Sequence, residues 1–210
     1  MQCVNQSFEI FTPKEDIEKY VKRVEKIARV CYKSEDKITD SSYQNFISML
    51  IDKGHTAMLE HGQITVKITT DRGIANELIR HRHCSFAQES TRYCCYDKDK
   101  FGNEITVIDH ETEWDEHLAI AYKLAEIEYL KLRRKGCPAD IARNVLPIGL
   151  KTELVITANF REWMHILSLR TSHAAHPFVR RLCADILIEF KKIVPIIFDS
   201  IDCEGVYANV

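Results

Sequence analysis

Arg80-His81-Arg82-His83 sets two guanidiniums and two imidazoles at consecutive positions, and Ser85, Gln88, Ser90, Thr91 and Arg92 follow closely. This is a dense set of donors for phosphate or carboxylate oxygens. Arginine suits such work because its planar fork holds an anion at two points and keeps its charge. A second polar group comprises Arg143, Asn159, Arg161, His165 and Arg170. Arg161 and His165 are four apart and share a helical face. The two groups could converge on one anionic ligand, or each could be a solvated basic surface; spacing alone leaves both open. Metal binding is not indicated. His81 and His83 are two apart, which on a helix directs them to different faces. His173 and His176 have helical spacing but abut Pro177, with no carboxylate near them in sequence.

The elements that must position these residues are legible from periodicity. Thr12-Pro13-Lys14-Glu15 reads as a capping box, followed by Ile17, Val21, Val24, Ala28 and Cys31 at helical spacing. A second helix begins near Ser41 or Ser42, carries Phe46, Ile47, Leu50 and Ile51, and stops at Gly54. Gln63 to Thr70 alternates with period two, which predicts a half-buried strand. Asp71 reads as the N-cap of a helix continuing from Ile74 to Arg82. Residues 96–104 read as a loop and 105–108 as a short strand. The longest helix is expected from Thr112 to Lys135, with Leu118, Ala121, Ala125, Tyr129 and Leu132 facing inward. Pro138 starts a short helix containing Arg143, and Pro147 stops it. Leu154 to Ala158 is β-prone, Asn159 caps a helix reaching Arg170, and Pro177 opens the last long helix. Helices with a few separated strands, and no repeat or linker, predict one α+β domain over residues 1–210.

Composition narrows the class. Apolar residues make up 45% and charged residues 29% of the 210, enough for a sizeable core with a soluble surface. The net charge of −2 argues against general nucleic-acid binding. No apolar run approaches the roughly 18 residues that a membrane span needs. The eight cysteines include no CxxC pair. With neither a basic leader nor an apolar run at the start, reduced thiols in a cytoplasmic protein are the expectation.

Arg80-His81-Arg82, seven residues, then Ser90 resembles the signature of the flavin-dependent thymidylate synthases, the ThyX family. Asp71-Arg72-Gly73 before it and Ser85-Phe86-Ala87-Gln88-Glu89-Ser90-Thr91-Arg92-Tyr93 through it are similar too. So are Gly54-His55, Glu60-His61, Ala142-Arg143-Asn144-Val145-Leu146-Pro147, Thr157 to Trp163, Leu169 to Ser172 and Ala174 to Pro177. The likeness covers residues 10 to 195 in the family's order. It departs at Ala57, where a hydroxyl residue is frequent, at Asn76-Glu77, where Arg-Gln is common, and at His83, which replaces an apolar residue.

The resemblance implies a small, mostly antiparallel sheet packed with long helices. It implies reductive methylation of dUMP to dTMP without a protein nucleophile. Methylenetetrahydrofolate would give the carbon, and FAD recharged by NADPH the hydride. It implies a homotetramer with active sites at subunit interfaces. Arg80, His81, Arg82, His83, Gln88, Asn159, Arg161 and His165 would bind FAD, with His55 near the flavin and folate. Glu77, Arg80, Gln88, Glu89, Ser90, Thr91, Arg92, Arg143 and Arg170 would bind dUMP, and Arg170, set against the uracil, would be catalytic. Two other readings remain: a non-catalytic nucleotide-binding regulatory module, and a metal-dependent phosphoester hydrolase.

Overall fold

The structure, a computed structural model, describes residues 1–110, 115–203 and 206. In chain order the elements are β1 (Gln2–Val4), β2 (Ser7–Ile10), α1 (Lys14–Val30), α2 (Ser42–Asp52), β3 (Gln63–Asp71), α3 (Arg72–Leu78), β4 (Cys84–Gln88), β5 (Thr106–Ile108), α4 (Asp115–Arg134), α5 (Ala139–Ala142), β6 (Lys151–Asn159), α6 (Phe160–Arg170), α7 (Pro177–Ile193) and α8 (Pro195–Phe198). The larger sheet has the order β2-β3-β6-β4. Its antiparallel sense follows from the bonds at its ends. Phe160 N–H donates to Gly62 O, whereas Arg72 N–H donates to Ile148 O and Leu150 O, so β3 and β6 run in opposite directions. The fold class is thus α+β with a small antiparallel sheet, as expected.

The chain separates into two compact units. The first comprises Met1–Phe8, Ile68–Arg80 and Phe86–Val155. Here β1 and β5 pair in parallel, with Cys3 opposite Val107. Tyr96, Ile105, Val107, Tyr129, Ala142 and Leu150 form the core. The second unit comprises Glu9–Lys67, His81–Ser85 and the chain from Ile156 on. Alternation along β3 buries Ile64 and Val66 there, and helical spacing buries Ile17, Val21, Val24 and Ala28 of α1. Trp163 of α6 packs edge-on against Phe190 of α7 at 5.2 Å, and its indole N–H donates to Ile64 O at 2.9 Å. That bond satisfies the one polar atom of a buried ring.

Several expectations need correction. The Thr12 capping box does not form: Pro13 is the N-cap of α1, and Thr12 Oγ1 instead accepts from Thr65 N–H at 2.8 Å. The helix expected through Arg82 ends at Leu78, and Arg80 to His83 lie in the turn that leads into β4. Burial of His81 against α6 overrides helical propensity there. Strands β1, β2 and β4 were not legible, because three to five residues carry little periodicity. The start of the long helix at Thr112 lies outside the described residues. Of its expected inner face only Tyr129 is buried, while Leu118 and Ala121 are exposed. Glu126 is buried instead, because its carboxylate accepts from Ile105 N–H at 3.0 Å. Tyr129 Oη likewise accepts from Tyr96 N–H. Tyr122, Leu130 and Leu132 pack on the core beside Tyr129, so backbone donors and apolar contacts together decide which face of α4 turns inward.

Gly62 sits under the Phe160 ring, and a Cβ there would overlap its edge. Phe160 is fully buried and cannot swing away. Gly62→Ala should therefore cost about 1–3 kcal/mol by overpacking, read as a lowered urea midpoint with unchanged slope.

Candidate active site

In the second unit α6 presents its functional residues on consecutive turns. Asn159 caps the helix, its Oδ1 accepting from Glu162 N–H at 2.8 Å, as the capping logic predicted. Asn159, Arg161, Glu162 and His165 then line a cavity of about 440 Å³ together with His83 and Glu60. The exposed Arg161 guanidinium pairs with Glu60 at 2.6 Å. Arg170, at the last position of α6, donates from Nε to His81 Nε2 at 3.1 Å. His81 Nδ1 lies 3.8 Å from the Glu162 carboxylate, and the His165 ring stands edge-on to it at 5.6 Å. Burial, the Arg170 charge and His165 together push the His81 pKa down to about 4. His81 is therefore a neutral imidazole at physiological pH, the only form that can accept from a guanidinium.

In the first unit β4 leads into the loop from Glu89 to Arg92. Gln88 Nε2 donates to Thr152 Oγ1 at 3.4 Å, and Glu89 N–H donates to Glu153 O at 2.9 Å. The Glu89 carboxylate takes Lys151 at 3.0 Å and the Tyr96 hydroxyl at 3.4 Å. Burial opposes the Lys151 charge, but Glu89 and Glu153 outweigh it and raise its pKa. Burial, then Glu89, pushes the Tyr96 phenol up. Thr91 is buried and accepts from Arg143 at 3.4 Å. Arg72, Asn76, Thr91, Arg143 and Asn144 line a second cavity of about 410 Å³.

The sequence-expected residues thus gather in two places. Asn159, Arg161, His165 and His83 share one cavity, with His81 and Arg170 bonded to each other in the same unit; Thr91 and Arg143 share the other cavity. Arg80, Arg82 and Arg92 are exposed. Arg92 lies over the Tyr93 ring at 5.7 Å, and Ser90 Oγ accepts from Arg92 N–H. Glu77 and His55 line neither cavity. Glu60, Glu162, Arg72 and Asn76 were not among the expected site residues. Glu162 was hidden in its role as a helix-start residue, whereas Arg72 and Asn76 are four apart, a spacing that could have flagged them.

A flavin ring needs donors for its carbonyls and an acceptor for its N–H, and its pyrophosphate needs cations. The α6 cavity offers Asn159 and imidazole donors, carboxylate acceptors and Arg161, which fits such a group. Burial, then Glu162, pushes the Cys84 thiol up to about 12, which disfavours the nucleophilic thiolate. Among the described residues no group of three or more His, Cys, Asp or Glu is placed to hold a metal. His176 caps α7, with Nδ1 accepting from Phe178 N–H. All eight cysteines are free thiols.

Two arginine-bearing cavities, lined also by amide, hydroxyl and imidazole groups, mark this α+β protein. Residues 16–196 match the family model of the thymidylate synthase complementing protein. A flavin-dependent thymidylate synthase of Mycobacterium avium is 32% identical over 197 residues, covering 83% of this chain and 77% of the relative. Its counterpart in Geobacter sulfurreducens is 31% identical over 179 residues, covering 81% and 77%. Among solved structures, the UMP/dUMP methylase PolB from Streptomyces cacaoi bound with 5-Br dUMP matches with a TM-score of 0.76 at 25% identity, over 95% of this chain and 96% of that one. This chain belongs to the thymidylate synthase complementing protein family, the one that its arginine-histidine motif resembles.

The lowered His81 pKa makes stability pH-dependent in a definite direction. The neutral form is favoured by folding, so its contribution is fully present above the ordinary value of 6.5 and is lost as pH falls toward 4. The loss is on the order of 3 kcal/mol, from the size of the shift. Unfolding curves between pH 7 and 4 should show this slope in the parent and a shallower one in His81→Gln. Parallel curves would mean that His81 titrates normally.

Proposed function

We propose that this chain is a single-domain subunit of a flavin-dependent thymidylate synthase that methylates dUMP to dTMP. Methylenetetrahydrofolate supplies the carbon and NADPH restores the reduced cofactor. Bound FAD supplies the hydride. The observation that carries the reading is the Arg170–His81 pair. A permanently charged guanidinium, oriented by a neutral imidazole, favours the ionised imide of a uracil placed against it. Asn159, Arg161, His165 and His83 would hold the flavin, with Arg80 and Arg82 reaching the cofactor and Arg80 also the nucleotide. Gln88 to Arg92, Arg143 and Glu77 would hold dUMP. The high thiol pKa of Cys84 supports a route without a protein nucleophile.

The same family reading makes the assembly a cytoplasmic homotetramer whose subunits complete each other's sites. Ile120, Leu124 and Ile127 support it: they are exposed, and their spacing sets them on one stripe of α4, where an apolar face needs a partner. No helix among the described residues is long and apolar enough to cross a membrane.

Purified protein should be yellow, with flavin absorbance at about 450 nm. It should release tritium from the uracil 5-position of labelled dUMP when given methylenetetrahydrofolate and NADPH. Absence of both overturns the reading; chelator-sensitive phosphoester cleavage would replace it with a hydrolase. Arg170→Ala should abolish turnover while keeping FAD, whereas flavin loss would make Arg170 a cofactor residue. Arg92→Ala should raise the dUMP dissociation constant well above that for FAD, and equal losses would contradict a phosphate role.

A further inference from the structure

The cavity of the first unit carries a second guanidinium that the motif did not reveal. Arg72 opens α3 and Asn76 follows one turn later, so both side chains meet the cavity from one helical face. Arg143 and Thr91 line it too, and among the described residues no carboxylate does. Arg72 spends one terminal nitrogen on the Glu89 carbonyl and Thr152 Oγ1, each at 3.4 Å. Its backbone N–H is pinned by Ile148 O and Leu150 O. Arg143 spends one nitrogen on Thr91. The Glu89 carboxylate is engaged by Lys151 and by the Tyr96 hydroxyl. Two like charges lining one cavity repel each other, and an anion bound between them relieves that repulsion.

We propose that Arg72 is a further nucleotide-binding residue, which takes the phosphate dianion jointly with Arg143 and ties the Glu89–Arg92 loop to that anion through the Glu89 carbonyl. Asn76 is the rim donor of the same site. That the anion belongs to a nucleoside monophosphate rests on the proposed synthase function; that the cavity selects a dianion rests on the side chains alone.

The test uses calorimetric titration of the flavin-loaded protein with dUMP, deoxyuridine and inorganic phosphate. Arg72→Gln should weaken dUMP and inorganic phosphate by about tenfold or more, the worth of one charge-assisted bond, with flavin content and deoxyuridine binding unchanged. Asn76→Asp changes an exposed residue and spares the fold. It should weaken dUMP several-fold, increasingly so as pH rises past about 6, where phosphate gains its second charge. A purely structural role would not produce that pH dependence. Equal losses for dUMP and deoxyuridine in Arg72→Gln, or no effect of Asn76→Asp on dUMP, would overturn the proposal. If the parent binds phosphate through Arg72 but shows no dUMP binding, the synthase reading fails and the anion site stands. If it binds dUMP and neither variant changes it, the site fails and the synthase reading stands.

Discussion

A guanidinium can donate to an imidazole only while the imidazole is neutral, and the Arg170–His81 bond depends on that condition. His81 meets it through burial and through the repulsive charge of Arg170 itself. The arrangement is self-consistent: the arginine suppresses the proton that would break its own bond. Arg170 is thereby oriented at the end of α6 by a neutral partner.

The same economy appears in the first unit. The loop from Glu89 to Arg92 is anchored from three directions: Lys151 and Tyr96 take its carboxylate, Arg72 its carbonyl and Arg143 its threonine. Glu89 thus acts as a strut in this structure. Its carboxylate holds Lys151 while its carbonyl accepts from Arg72. Rigid support of this kind suits a site that must recognise an anion of fixed geometry.

The helices show how polar constraints compete with apolar pattern. On α4 the backbone donors of Ile105 and Tyr96 need acceptors, and Glu126 and Tyr129 supply them. The consequence is an outward stripe of Ile120, Leu124 and Ile127. On α6 the cap, the Trp163 anchor and the cavity-lining residues all follow one helical register, so packing and chemistry agree there.

The motif from Arg80 to Arg92 was the most informative stretch of the sequence: its residue types could bind an anion, and its likeness to the ThyX signature, with the segments around it, pointed to the family. Residue order also displayed the alternation of β3 and the inner face of α1, because these depend on spacing of 2 or about 3.6 residues, and the cap at Asn159, because capping residues have a recognisable type. Tertiary structure decided the rest. It ended α3 at Leu78 and buried His81 beside Glu162 of α6. It made His81 neutral, a matter of surroundings that no spacing encodes. It turned α4 to serve backbone donors some twenty residues and more away in the chain. It also brought Arg72 to Arg143, residues about seventy positions apart, because only folding makes neighbours of side chains whose separation has no period.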